Sequence, residues 1–141
     1  MNAEIILSKL NNLNIDPSRA VITGSALLDV LGIRESHDLD VIIDKETFDS
    51  LRQDDQYTLG AFSDGSEKID ATGDVELMYD WYGQTVDDCL RESTTIDGVN
   101  FFSLQSIRTW KKRQARPKDL RDIELIDAYL AKQASDEPLA N

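Results

Sequence analysis

Three aspartates at strand spacing, Asp38, Asp40 and Asp44, constrain this chain more than any other feature of its sequence. They close the stretch VITGSALLDVLGIRESHDLDVIID, residues 21–44, which reads as a short apolar strand, a Gly-Ser turn into a short helix, a polar loop and a second strand. Side chains two and four residues apart on a strand share a face, so the pattern groups the three carboxylates on one side and Leu39, Val41 and Ile43 on the other. Two carboxylates about 6 Å apart repel by roughly 3 kcal/mol at an effective dielectric of about 20. A divalent cation turns that repulsion into attraction, and Mg²⁺ prefers such hard oxygen ligands. The stretch therefore predicts a metal-and-phosphate site.

Charge narrows the partners. The chain carries 15 Lys and Arg against 27 Asp and Glu, a net charge of −12, which argues against a long nucleic-acid polymer as main partner because phosphate backbones need basic surface. Seven of the basic residues nevertheless fall within residues 108–121, where Asp119 is the one acid. A small basic patch in an acidic protein suits a small anionic ligand or an acidic partner. A lone cysteine, Cys89, and a lone histidine, His37, exclude an internal disulfide and a Cys- or His-rich metal site. His37 reads as a loop residue and Cys89 as a buried apolar side chain. The first residues, MNAEIILSKL, do not read as a signal peptide, and no stretch approaches the roughly 20 apolar residues that span a bilayer. The expected setting is cytoplasmic, with no membrane.

At 141 residues with 40% apolar content the chain can bury a real core. Residues 2–13 place Ile5, Ile6, Lys9, Leu10 and Leu13 at helical spacing. A strand is expected over Arg19–Thr23, then a helix of about eight residues opened by Gly24-Ser25 and ended at Gly32. The acidic strand spans Asp38–Ile43 and a helix Lys45–Gln53, with Phe48 and Leu51 inward. Strands follow at Tyr57–Phe62, Glu67–Ala71 and, after Gly73, at Asp74–Tyr79; Ser63-Asp64-Gly65-Ser66 marks the turn between the first two. Thr85–Glu92 suits a helix, and Asp97-Gly98 a hairpin turn with positive φ. Ser103 caps a helix to about Ala115, and Pro117 starts a last helix to about Lys132 that is expected to bury Leu120, Ile123, Ile126 and Leu130. Residues 133–141 read as a frayed tail. The economical reading is one α+β domain over residues 1–132, with a small mixed or antiparallel sheet, helices on one side and a C-terminal helix pair.

The Gly-Ser turn after a strand, twelve intervening residues and Asp-x-Asp in the next strand resemble the nucleotidyltransferase superfamily typified by DNA polymerase beta. Within it the likeness is to small bacterial stand-alone members called minimal nucleotidyltransferases. The stretch ARPKDLRDIELIDAYL is similar to the Arg-x-Lys-Asp helix of many such proteins. The likeness covers residues 20–44 well, 74–79 loosely and 103–130 by pattern.

The resemblance implies that Gly24 and Ser25 hold the triphosphate and that Asp38 and Asp40 bind metal. A glycine allows close backbone approach, and N–H groups at a helix start attract anions; a plain turn and helix cap would also explain the pair. The third carboxylate, metal ligand and general base, is Glu76, with Asp74 as the alternative and Asp70 a weaker one. Many members carry Asp there, so Glu76 is a departure. Arg116 and Lys118 are the first candidates for phosphate contacts, Lys111 or Arg113 the second. Trp81, Trp110, Tyr79 and Tyr82 are read as core residues before base-stacking ones. The implied activity moves a nucleoside monophosphate from a nucleoside triphosphate to an acceptor hydroxyl on a protein, an RNA such as tRNA, or a small molecule, with two Mg²⁺ ions. The alternative is a catalytically weak binding module of the same fold, antitoxin-like or a regulatory partner of a helical toxin-like protein. The acceptor is then a protein surface, or a second subunit finishes the pocket, so a protein partner or a homo-oligomer is expected.

Overall fold

The computed structural model describes residues 1–71 and 74–136. Gly73, and residues 137–141 of the expected tail, lie outside the described residues. The architecture is α+β. Helix α1 (Ala3–Asn12) is capped by the Asn2 side chain and buries Ala3, Ile6 and Leu10. A 3-10 turn over Pro17–Arg19 leads into β1 (Ala20–Thr23), every residue of which is buried. Helix α2 (Ala26–Val30) is shorter than the expected eight residues, and β2 (Leu39–Ile43) begins one residue after Asp38. Next come α3 (Lys45–Leu51), β3 (Thr58–Ala61), β4 (Glu67–Ala71) and β5 (Val75–Met78). Helix α4 (Val86–Arg91), with Thr85 and Asp88 in a capping box, precedes the hairpin of β6 (Ser93–Ile96) and β7 (Val99–Phe102). Helices α5 (Leu104–Gln114) and α6 (Pro117–Asp136) pack on each other at the C-terminal side. Among the described residues no helix is long and apolar enough to cross a membrane.

The sheet is mixed and has seven strands in the order β3-β4-β5-β2-β1-β7-β6. β1 runs antiparallel to β2 and parallel to β7, and β2 runs parallel to β5. β4 is antiparallel to both β3 and β5. These directions bring the end of β1 and the starts of β2 and β5 to the same end of the sheet. The register there pairs Thr23 with Asp40, Asp40 with Glu76, and Glu76 with Asp70. Directly paired residues share a face, so three carboxylates stand in a row across β2, β5 and β4. Away from that end the strands turn apolar: Val41, Ile42, Leu77 and Met78 are all buried.

Three expectations are corrected. Asp44 does not join Asp38 and Asp40, because its carboxylate caps α3, accepting from the Thr47 N–H at 2.7 Å. Ile42 is buried between Asp40 and Asp44, so β2 is covered on both faces below its acidic start. Leu120 is 51% exposed, and the inner stripe of α6 instead carries the buried Asp119 and Asp122 ahead of Ile126. The register is set by a buried ion network rather than by apolar content alone. Finally, α6 runs to Asp136, past the expected end near Lys132.

Candidate functional site

Gly24 follows directly on β1 with φ +72, a conformation that costs an L side chain about 1–2 kcal/mol. It is also pressed by its neighbour: a Cβ there would meet the Asp40 carboxylate. Ser25 starts α2, yet its side chain makes no capping bond to the helix. Its hydroxyl is turned to two cations instead. Arg34 Nη2 donates to Ser25 Oγ at 2.9 Å and Lys111 Nζ donates to it at 3.1 Å. With both lone pairs engaged, the hydroxyl proton is left to donate elsewhere.

Both cations are anchored by one buried acid. Arg34 binds the Asp122 carboxylate through Nε at 2.6 Å and Nη2 at 2.8 Å, and Lys111 Nζ binds Asp122 Oδ2 at 2.8 Å. Lys111 is 2% exposed and Asp122 3%. Burial works against the charged form of Asp122, but the hydrogen bonds from Arg34 and Lys111 outweigh it and hold the carboxyl below the usual range. Asp119 is also fully buried, and Arg116 grips it through Nε at 2.6 Å. The network presents positive charge at the Gly-Ser turn while its counter-charges stay on α6.

Beside this positive wall stand the acids. Asp40 lies opposite Glu76 in the register, and Asp38 just precedes β2. Burial, then the charges of Glu76 and Asp38, push the Asp40 carboxyl up to about 6, with Lys68 and Lys111 pulling the other way. Lys68 Nζ is 3.4 Å from Glu76 Oε2. Asp74, the alternative third acid, sits in the turn ahead of β5 at φ +64 and is exposed.

A cleft of about 800 Å³ gathers these groups: Gly24, Ser25, Asp38, Asp40, Glu76, Arg116 and Lys118 all line it, as do Arg34 and Lys111. Asp74, Asp70 and Arg113 are not among its lining residues. Arg116 is committed to Asp119, and Lys118 lies exposed at the edge. The cations that reach the Gly-Ser turn are instead Arg34, which the sequence reading did not single out, and Lys111, which it ranked second. Acids at two inward positions of α6, three residues apart, were the signal available for a buried cation.

The mouth of the cleft is aromatic. Trp81, Tyr82, Gly83 and Gln84 form a tight turn closed by reciprocal Trp81–Gln84 backbone hydrogen bonds, with positive φ at Tyr82 and Gly83. Tyr82 is 60% exposed, and its Oη accepts from Trp110 Nε1 at 3.1 Å and Gln114 Nε2 at 3.2 Å. Trp81 stands 5.6 Å from Trp110, centroid to centroid. Tyr79, by contrast, packs edge-on to the buried Phe48.

The donor set suits a hard cation: carboxylate oxygens, with Asp38, Asp40 and Glu76 lining one cleft. Among the described residues no group of three or more His, Cys, Asp or Glu is assembled to hold an ion unaided. Mg²⁺ commonly takes one or two carboxylates and completes its shell with water and substrate phosphates, so Asp38 and Asp40 fit it in that mode. Compared with known proteins, the chain matches no family model, no curated protein and no solved structure.

Proposed function

We infer that this chain is a Mg²⁺-dependent nucleotidyltransferase, which takes a nucleoside triphosphate and moves its nucleoside monophosphate to an acceptor hydroxyl. The observation that carries the reading is the gathering, in one cleft, of a Gly-Ser turn backed by Arg34 and Lys111 and, beside it, an acidic edge of Asp38, Asp40 and Glu76. A triphosphate needs both: cations for its outer phosphates and carboxylates for the metal that travels with it. The resemblance of residues 20–44 and of the Arg-x-Lys-Asp helix to minimal nucleotidyltransferases points the same way.

Mg²⁺ held by Asp38 and Asp40 would neutralise the triphosphate and polarise the α-phosphate. The remaining work belongs to the chain. Ser25 donates its free proton to a phosphate oxygen, and Gly24 keeps the backbone clear for close approach. Arg34 and Lys111 stabilise charge on the departing pyrophosphate, with Lys118 and Arg116 at the rim. Glu76 orients the acceptor hydroxyl and takes its proton. The acceptor oxygen bonds to the α-phosphorus, the bond from that phosphorus to the bridging oxygen breaks, and pyrophosphate leaves with the electron pair.

A second reading has a specific observation behind it. Lys68 pairs with Glu76, which weakens Glu76 as a base and favours a nucleotide-binding module without turnover, acting through a protein partner.

Incubation with α-³²P-labelled triphosphates, Mg²⁺ and host lysate tests the assignment. Label should pass to a protein, RNA or small molecule, and Asp40→Asn should abolish transfer while the protein stays folded. Full transfer by Asp40→Asn overturns the enzyme reading; Mg²⁺-dependent nucleotide binding without transfer favours the module.

A further inference from the structure

Glu76 stands between two other acids in the sheet, paired with Asp40 of β2 on one side and with Asp70 of β4 on the other. Like charges directly opposite one another destabilise a sheet, and neighbouring strands lie only about 4.8 Å apart. A neutralising charge is already built into the row. Lys68, two residues before Asp70 and so on the same face of β4, puts its Nζ 3.4 Å from Glu76 Oε2 and 3.9 Å from Asp70 Oδ1.

Lys68 is not a free surface lysine. It pairs with Gly60 across the β3–β4 ladder, and its Cε stands 3.3 Å from where a Cβ on Gly60 would be. Its ammonium lies 5.3 Å from the centroid of the Phe62 ring, within cation–π range. A bare strand position on one side, an aromatic face on another and two carboxylates at the tip together hold the ammonium beside the outer half of the acidic row. At the inner half, Asp40 has the Gly-Ser turn beside it instead, and Asp38 lines the same cleft.

We propose that Lys68 supplies the second positive charge of this site, so that the chain takes up one divalent cation, on Asp38 and Asp40, with each bound triphosphate. The inference rests on the nucleotidyltransferase reading and replaces the two Mg²⁺ ions implied by the resemblance with one ion and one ammonium. A second dication shared by Asp40 and Glu76 would have to displace Nζ or lie against it, and like charges at that distance exclude each other.

Native mass spectrometry of the full chain with Mn²⁺ and each α,β-methylene nucleoside triphosphate counts the ions directly. Wild type should carry one Mn²⁺ per chain and nucleotide, Lys68→Met two, and Lys68→Arg one. Lys68→Gln, also expected to carry two, substitutes if Lys68→Met does not fold. Two Mn²⁺ in wild type overturn the inference and leave the nucleotide assignment standing. One Mn²⁺ in both wild type and the neutral variant overturns it as well, because Lys68 is then not what limits the count. Uptake of neither Mn²⁺ nor any analogue sinks the nucleotidyltransferase reading itself, and the inference with it.

Discussion

Gly24 and Asp40 are fitted to each other across the β1–β2 ladder: a Cβ on Gly24 would stand 2.5 Å from Asp40 Oδ2. Two constraints thus meet at one position, the φ of +72 and the space the carboxylate occupies. The turn can approach an anion closely, and the aspartate is held beside it.

These two constraints can be separated. Gly24→Ala should cost about 1–2 kcal/mol for the left-handed backbone alone, and more while the Asp40 carboxylate is present. In an Asp40→Ala background the carboxylate is gone and only the backbone part should remain. Urea unfolding of the four proteins of this cycle measures the difference. An identical cost of Gly24→Ala in both backgrounds would show that the carboxylate does not press on the turn.

Asp40 makes stability depend on pH in the direction opposite to most carboxylates. Its folded-state pKa of about 6 lies above the ordinary 3.8, so between those values the folded state binds more protons than the unfolded one. Stability contributed at this position is therefore present below about pH 4 and lost as pH rises through 6, by up to about 3 kcal/mol for two units. Asp40→Asn removes the charge and should be more stable than wild type at pH 7, with the two converging near pH 4. Urea midpoints at the two pH values check this. A variant less stable than wild type at pH 7 would contradict the burial of the Asp40 charge and its crowding by Glu76 and Asp38.

Asp122 works in the other sense. Its folded-state pKa is held down by Arg34 and Lys111, so its contribution is present above the ordinary carboxylate range and is lost as pH falls through the depressed value. Asp122→Asn leaves a buried lysine and a half-buried arginine without their shared counter-charge, a change that costs about 3–5 kcal/mol in comparable buried pairs. Thermal or urea unfolding at pH 7 measures it. A loss below about 1 kcal/mol would mean that Asp119 alone can hold Lys111, whose Nζ is 3.9 Å from it.

The elements most legible in the sequence are those fixed by local chemistry. Asp97 and Gly98 both adopt positive φ, as a two-residue hairpin demands, and Ser103 caps α5 by accepting from the Ser106 N–H. The convergence of Gly24, Ser25, Asp38 and Asp40 was legible because β1 and β2 are joined by one short helix and pair directly. Arg34 was not, because its partner lies 88 residues further on. Leu120 misled for a related reason: counting apolar residues turns α6 toward its leucines, whereas the buried Lys111 draws Asp119 and Asp122 inward. Tyr82, read as core, is exposed because a tight turn lifts it to positive φ, a position usually filled by Gly, Asn or Asp.

The aromatic mouth offers a direct probe of occupancy. The chain has two tryptophans, and both Trp81 and Trp110 line the cleft, so indole emission carries no background from elsewhere. A triphosphate seated in the cleft over the Gly-Ser turn and Asp40 would bring its base or ribose toward this mouth, where exposed aromatic faces gain about 1–3 kcal/mol per stacked base. Addition of Mg²⁺ and triphosphate should quench or shift tryptophan emission with saturation. Tyr82→Ala should weaken the apparent affinity by about tenfold, the equivalent of roughly 1.4 kcal/mol. Asp40→Asn should weaken the response without altering emission of the free protein. A saturable change that survives Asp40→Asn at full affinity would place the ligand at the aromatic mouth alone, detached from the acidic edge. No change with any of the four triphosphates at millimolar concentration would leave the cleft without a nucleotide.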